Sequence, residues 1–219
     1  MKQEFQKRIF SSIILIPIAL YFIIKGSIFF TFFISICLLI TLYEWHMMSK
    51  KKSYYIVGII FILISFYTVF LLRNYDRYTN IIDPGLTFFL IVTLICVFTD
   101  LGGYIFGKIF KGPKLTKISP NKTYAGMFGG FFLSIISVNL FVNYFSLNLY
   151  FTNQLFIFVI LVSATSQIGD ILISFFKRKS KIKNTGKIIP GHGGLLDRID
   201  GMLLAFPLSY ILISIGFFY

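Results

Sequence analysis

The chain has 219 residues, of which 57% are hydrophobic, 19% aromatic and only 13% charged. A soluble domain carries roughly 25% charged residues, so an aqueous globule is excluded. The net charge of +13 would suit a nucleic-acid binder, but cations gathered in the cytoplasmic loops of a membrane protein account for it, and no nucleic acid is expected.

The apolar residues arrive in runs of about 16 to 23, the length at which a helix crosses a hydrocarbon core of ~30 Å. A short polar start is followed by the first run, 9–24, and no small-residue cleavage pattern follows it, so a retained helix is expected. After a very short turn at Lys25, Gly26 and Ser27 come runs at 28–45, ending on Lys50, Lys51 and Lys52, and at 54–72. A mixed-charge loop precedes the fourth run, 86–106, which Asp100, Gly102 and Gly103 interrupt near its end. The remaining runs are 124–145, 155–176 and 202–218. Cys37 and Cys96 lie inside runs with no paired spacing, which gives neither a disulfide framework nor a metal knuckle.

The expected fold is an all-α polytopic membrane protein with about seven transmembrane helices. Lys25, Arg73 and Arg77 fall on one side of such an arrangement, and the other eighteen of the 21 lysines and arginines fall on the opposite side. That asymmetry sets the N-terminus inside and the C-terminus outside. A single integral-membrane domain, 1–219, is expected.

An acid within or against a span is costly there and usually functional. Glu44, Asp100, Asp170, Asp197 and Asp200 all fall at the cytoplasmic ends of predicted helices. Asp170 and Asp100 precede Lys177 and Lys108 by seven and eight residues, which sets both carboxylates roughly 10–12 Å below the surface lysines. Ser163, Ser166, Gln167, Asp170, Ser174 and Lys177 recur at helical spacing on one face. Such a stripe reads as the wall of a water-filled cavity, or as a helix seam joined by hydroxyls. Asp197 and Asp200, three apart, point the same way if helical. Asp100, Asp170, Asp197 and Asp200 together form a hard-oxygen set suited to Mg²⁺ shared with phosphates; for Asp197 alone a helix N-cap is an equal reading.

The stretch from Ser174 to Asp200 adds seven cations and the turn Gly191, His192, Gly193, Gly194, whose N–H groups could approach an anion closely. Gly103 with Gly107, and Gly126 with Gly130, read as close-packing devices between helices.

Ser174-x-Phe176-Lys177-Arg178, Lys183, Gly186, Ile189-Pro190, His192-Gly193-Gly194-Leu195 and Asp197-Arg198-Ile199-Asp200 resemble, almost position for position, the signature of the phosphatidate cytidylyltransferases (CDP-diglyceride synthases). Asp100-x-Gly102-Gly103-Tyr104, Ser119-Pro120-Asn121-Lys122-Thr123 and Gln167-x-Gly169-Asp170 resemble further conserved regions, so the likeness covers about residues 100–200. This chain has Asn184 and Ala125 where the family commonly has an aspartate and a glutamate.

The resemblance implies that CTP and phosphatidate give CDP-diacylglycerol and pyrophosphate, with Mg²⁺ required. It implies metal ligation by Asp170, Asp197 and Asp200, helped by Asp100. Lys177, Arg178, Lys183 and Arg198 would bind phosphates, Ser174 would line the substrate site, and Ser119, Lys122 and Thr123 would lie beside the nucleotide. His192, with Gly193 and Gly194, would hold the departing pyrophosphate. The composition suits a bacterial inner membrane with the site facing the cytoplasm. A monovalent cation beside Mg²⁺ and a homodimer are left open. The alternatives are a CTP-dependent kinase or nucleotidyltransferase acting on another lipid such as a polyprenol, a cation transporter, and a non-catalytic scaffold.

Overall fold

The structure, a computed structural model, describes residues 2–77, 81, 83–116, 118–119, 121–145, 152–189, 191 and 193–218, with side chains from residue 10 onward. Among these residues the chain forms eight helices: α1 (Lys2–Lys25), α2 (Ser27–Ser49), α3 (Tyr55–Arg73), α4 (Pro84–Phe110), α5 (Tyr124–Phe145), α6 (Asn153–Lys179), α7 (Leu196–Ile199) and α8 (Met202–Ser214). Pairing between strands is limited there to two isolated antiparallel bridges, Lys114 with Thr123 and Ile189 with Gly193.

Each of the seven apolar runs becomes a helix. Five of them, α2 to α6, are long and apolar enough to cross a membrane. The 13 residues of α8 cover only about 20 Å, because the helix stops at Ser214 and not at 218. Helix α4 runs on to Phe110, so Asp100, Gly102 and Gly103 do not interrupt it. The chain divides into two compact units, Met1–Phe70 with Phe176–Ile199, and Leu71–Phe175 with Asp200–Tyr219.

In the first unit, Gly26 at φ 64° turns the chain sharply between α1 and α2, and Phe22 stacks on Phe33 across the turn at 5.5 Å. Trp45, near the end of α2, is 1% exposed, and its indole N–H donates to the Tyr55 carbonyl at 3.0 Å. The ring packs edge-on against Phe176 of α6 at 5.5 Å. It fits because residue 58 is glycine, where a Cβ would run into the indole. Tyr54 then bonds Ser180 at 2.7 Å, so the α2–α3 turn and the end of α6 are tied together.

In the second unit, α4 opens on a formed cap: Asp83 accepts from the Leu86 N–H at 3.0 Å, with Pro84 following, where its missing N–H costs nothing. The Arg73 guanidinium holds the same carboxylate at 3.2 Å. Helices α4 and α5 meet through glycines. A Cβ on Gly126 would lie 2.6 Å from the Gly103 carbonyl, and one on Gly102 would strike the Gly129 backbone. The close-packing reading therefore holds at Gly126 and at Gly130, where a Cβ would lie 2.9 Å from the Thr99 carbonyl, whereas a Cβ on Gly103 would meet nothing nearer than 3.8 Å. Rigid backbone leaves no room to relax, and overpacking costs about 1–3 kcal/mol or more. Gly102→Val should lower unfolding stability in mixed detergent micelles by at least about 2 kcal/mol, with the α4–α5 contact opened.

Candidate functional site

In the second unit a cavity of about 270 Å³ is lined by residues including Asp100, Gly103, Ser119, Asn121, Lys122 and Asp170. Local structure puts Lys122 there. The turn before α5 closes through Lys122 N–H to the Ser119 carbonyl at 3.0 Å and Leu115 N–H to the Lys122 carbonyl at 2.8 Å. Thr123 then caps α5, its hydroxyl accepting from Gly126 N–H at 3.1 Å. The Lys122 ammonium pairs with the Asp170 carboxylate, both side chains 24% exposed. Ser174, one turn further along α6, donates to the other Asp170 oxygen at 3.2 Å.

The polar stripe of α6 serves both purposes its sequence allows. Its deeper members form a seam: Ser163 bonds Thr99 of α4 at 2.7 Å in a buried pair, and Ser166 lies against Gly201. Gln167 and Asp170 line the cavity. Asp200 is 7% exposed, and its carboxylate accepts from the Gly201 N–H at 3.0 Å.

The first unit holds a loop between α6 and α7 that two carboxylates organise. Asp197 receives the Lys177 ammonium at 3.0 Å on one oxygen. Its other oxygen accepts N–H groups from Thr185 at 2.8 Å and Gly194 at 3.1 Å. Glu44, reaching in from α2, is 1% exposed. It accepts from Leu195 N–H at 3.0 Å, Leu196 N–H at 2.8 Å and the Thr185 hydroxyl at 3.1 Å. Two glycines make space for it: a Cβ on Gly186 would be 2.7 Å from a Glu44 oxygen, and one on Gly194 would press on both Glu44 and Thr185.

Several expected residues take more definite places. The Gly193 N–H is bonded to the Ile189 carbonyl at 3.2 Å and that of Gly194 to Asp197, so both amides expected at an anion are committed to the protein's own acceptors. Asp197 sits in a four-residue helix separate from α8, with Asp200 in the turn between. Lys177 is buried, whereas Arg178, Lys183 and Arg198 are exposed, and Arg178 donates to the Ile182 carbonyl at 3.2 Å. His192 lies outside the described residues. Glu44 is the residue sequence reasoning left without a role. The signal for it was present, an acid one residue from the end of the apolar run 28–45, but its partners were not readable from spacing.

The cation the sequence implies can be tested against these donors. Mg²⁺ is typically held by one or two carboxylates together with substrate phosphates, and Asp100 and Asp170 line one cavity. Among the described residues no three or more acids, histidines or cysteines gather as a ready metal cage. The pair therefore fits a hard cation shared with a phosphorylated ligand.

Residues 51–216 match the profile of the cytidylyltransferase family. Over 219 residues the chain is 35% identical to a phosphatidate cytidylyltransferase of Rickettsia typhi, covering 95% of this chain and 92% of that protein. It is 34% identical to the protein of the same name from Rickettsia felis, covering 96% and 93%. A shorter match, 42% over 134 residues, relates it to a phosphatidate cytidylyltransferase of Staphylococcus haemolyticus, covering 60% of this chain and 50% of that one.

The buried Lys177–Asp197 pair yields a stability test. Removing one partner of such a pair strands the other and costs about 3–5 kcal/mol. Lys177→Met and Asp197→Leu should each destabilise by roughly 3 kcal/mol in micellar unfolding, and the double variant by at least about 1 kcal/mol less than their sum.

Proposed function

The chain belongs to the cytidylyltransferase family, and we propose that it transfers the cytidylyl group of CTP to phosphatidate, giving CDP-diacylglycerol and pyrophosphate. It is an integral membrane protein and a nucleotidyltransferase of phospholipid biosynthesis. The cavity that joins Asp100, Lys122 and Asp170 is the observation that carries the reading to particular residues.

In this reaction an oxygen of the lipid phosphate attacks the α-phosphorus of CTP. The bond from that phosphorus to the α–β bridging oxygen breaks, and pyrophosphate leaves with the electron pair. The nucleophile is already an anion, so no strong base is called for. The barrier lies in bringing two repelling anions together in line, which calls for positioning and fixed positive charge. Bound Mg²⁺ would supply Lewis-acid neutralisation of phosphate oxygens, and Asp170 with Asp100 are the carboxylates that would hold it, Asp200 being a further candidate.

Lys122 is held over Asp170 by its turn and takes phosphate oxygens; Ser119 and Thr123 flank it on the nucleotide side. The exposed cations Arg178, Lys183 and Arg198 bind the triphosphate and the lipid phosphate, and His192 would hold the departing pyrophosphate. Asp197, whose oxygens already accept three donors, holds Lys177 and the loop in place.

The proposal extends to seven spans, an inside N-terminus, an outside C-terminus and a site on the cytoplasmic face of a bacterial inner membrane. The eighteen-to-three distribution of cations supports that orientation.

The test is turnover of CTP labelled either in the base or at the γ-phosphate, with phosphatidate or a polyprenol as acceptor. Base label should enter phosphatidate and neither label the polyprenol; γ-label in a lipid would mean a kinase. Asp170→Asn should lower the rate more than about 10²-fold, and a near-normal rate would remove its proposed role.

A further inference from the structure

Glu44 carries a consequence beyond the residues that meet substrate. An ionised carboxylate taken out of water must be repaid by donors, and among the described residues the donors to Glu44 all come from the segment 185–196: the Thr185 hydroxyl and the N–H groups of Leu195 and Leu196. The carboxylate is 1% exposed, so it does not reach a ligand itself. The segment it holds is flanked by Lys183 and Arg198, both exposed cations. Gly186 and Gly194 leave the space the carboxylate fills, since a Cβ at either would press on it. Residue types at three separate places in the chain thus agree on one buried acid.

We propose that Glu44 is a positioning residue for cytidylyl transfer. From α2 it clamps segment 185–196 and so fixes where the flanking cations meet the phosphates of CTP. This rests on the functional reading above. Its chemistry is specific: two oxygens, three donors, and a charge that makes each hydrogen bond stronger than a neutral amide would. A glutamine keeps the size but turns one acceptor into an N–H₂ that faces donors.

The experiment pairs kinetics with hydrogen exchange on the full chain in detergent, for wild type, Glu44→Gln and Thr185→Val. For Glu44→Gln we expect amide exchange in 185–196 to accelerate more than about tenfold, with α4 and α5 unchanged, as expected of a local opening. The KM for CTP should rise about tenfold. Loss of folded protein would lower the maximal rate and leave KM where it was, so the KM separates positioning from mere stability. Thr185→Val, which removes one donor and keeps the backbone N–H bonded to Asp197, should raise KM about threefold and decides the matter if the Gln variant does not fold.

Unchanged exchange in 185–196 would overturn the clamp, and faster exchange with unchanged KM would overturn its part in the reaction. Absence of wild-type turnover with CTP and phosphatidate would overturn the functional reading and the catalytic half of this proposal. The exchange result would still decide whether Glu44 holds the loop.

Discussion

A carboxylate removed from water must be met by donors, and most of the site's local order follows from that requirement. Glu44 and Asp197 each accept three hydrogen-bond donors. Thr185 serves both, through its hydroxyl to one and its N–H to the other. A loop with a glycine-rich turn has little apolar surface of its own to bury, so packing alone would hold it weakly. The two acids supply the missing constraint. Because an unpaired buried charge is far costlier than the net value of the pair, the loop is held mainly by what its departure would strand.

The second unit uses the same residue chemistry at a different strength. Asp197 and Lys177 are 8% and 11% exposed, whereas Asp170 and Lys122 are each 24% exposed and border a cavity. Solvent reach weakens an ion pair, so the Lys122–Asp170 pair is the weaker of the two. The close backbone contact of α4 with α5 frames it. Glycines at 102, 103 and 126 bring together the helix bearing Asp100 and the helix that Thr123 caps.

The seven helices were legible because hydrophobic run length is a one-dimensional property, and the close packing at Gly126 and Gly130 was legible from an equally local spacing. Helix ends were less so. The run ending at 218 yields a helix that stops at Ser214, and α4 passes straight through Asp100 because its glycines face a neighbouring backbone and do not break the helix. Asp100, Ser119, Lys122 and Asp170 were named from sequence, and they line one cavity. The glycine-rich turn was read as an anion cradle from composition. In the structure its Gly193 and Gly194 amides answer to Ile189 and Asp197, a pairing that no local spacing encodes. Glu44 was visible as an acid in the wrong place, but its partners lie 141 to 152 residues away, beyond the reach of any local pattern.

That separation has a consequence for biogenesis. Helix α2 leaves the ribosome long before segment 185–196 exists. At about 5–20 residues per second, its glutamate waits roughly 7 to 30 seconds for the groups that will satisfy it. During that interval the end of α2 must stay near headgroups and water or be shielded by another factor. The hairpin of the first two helices is thus made early, but its buried carboxylate is satisfied late, by groups 141 to 152 residues further along the chain.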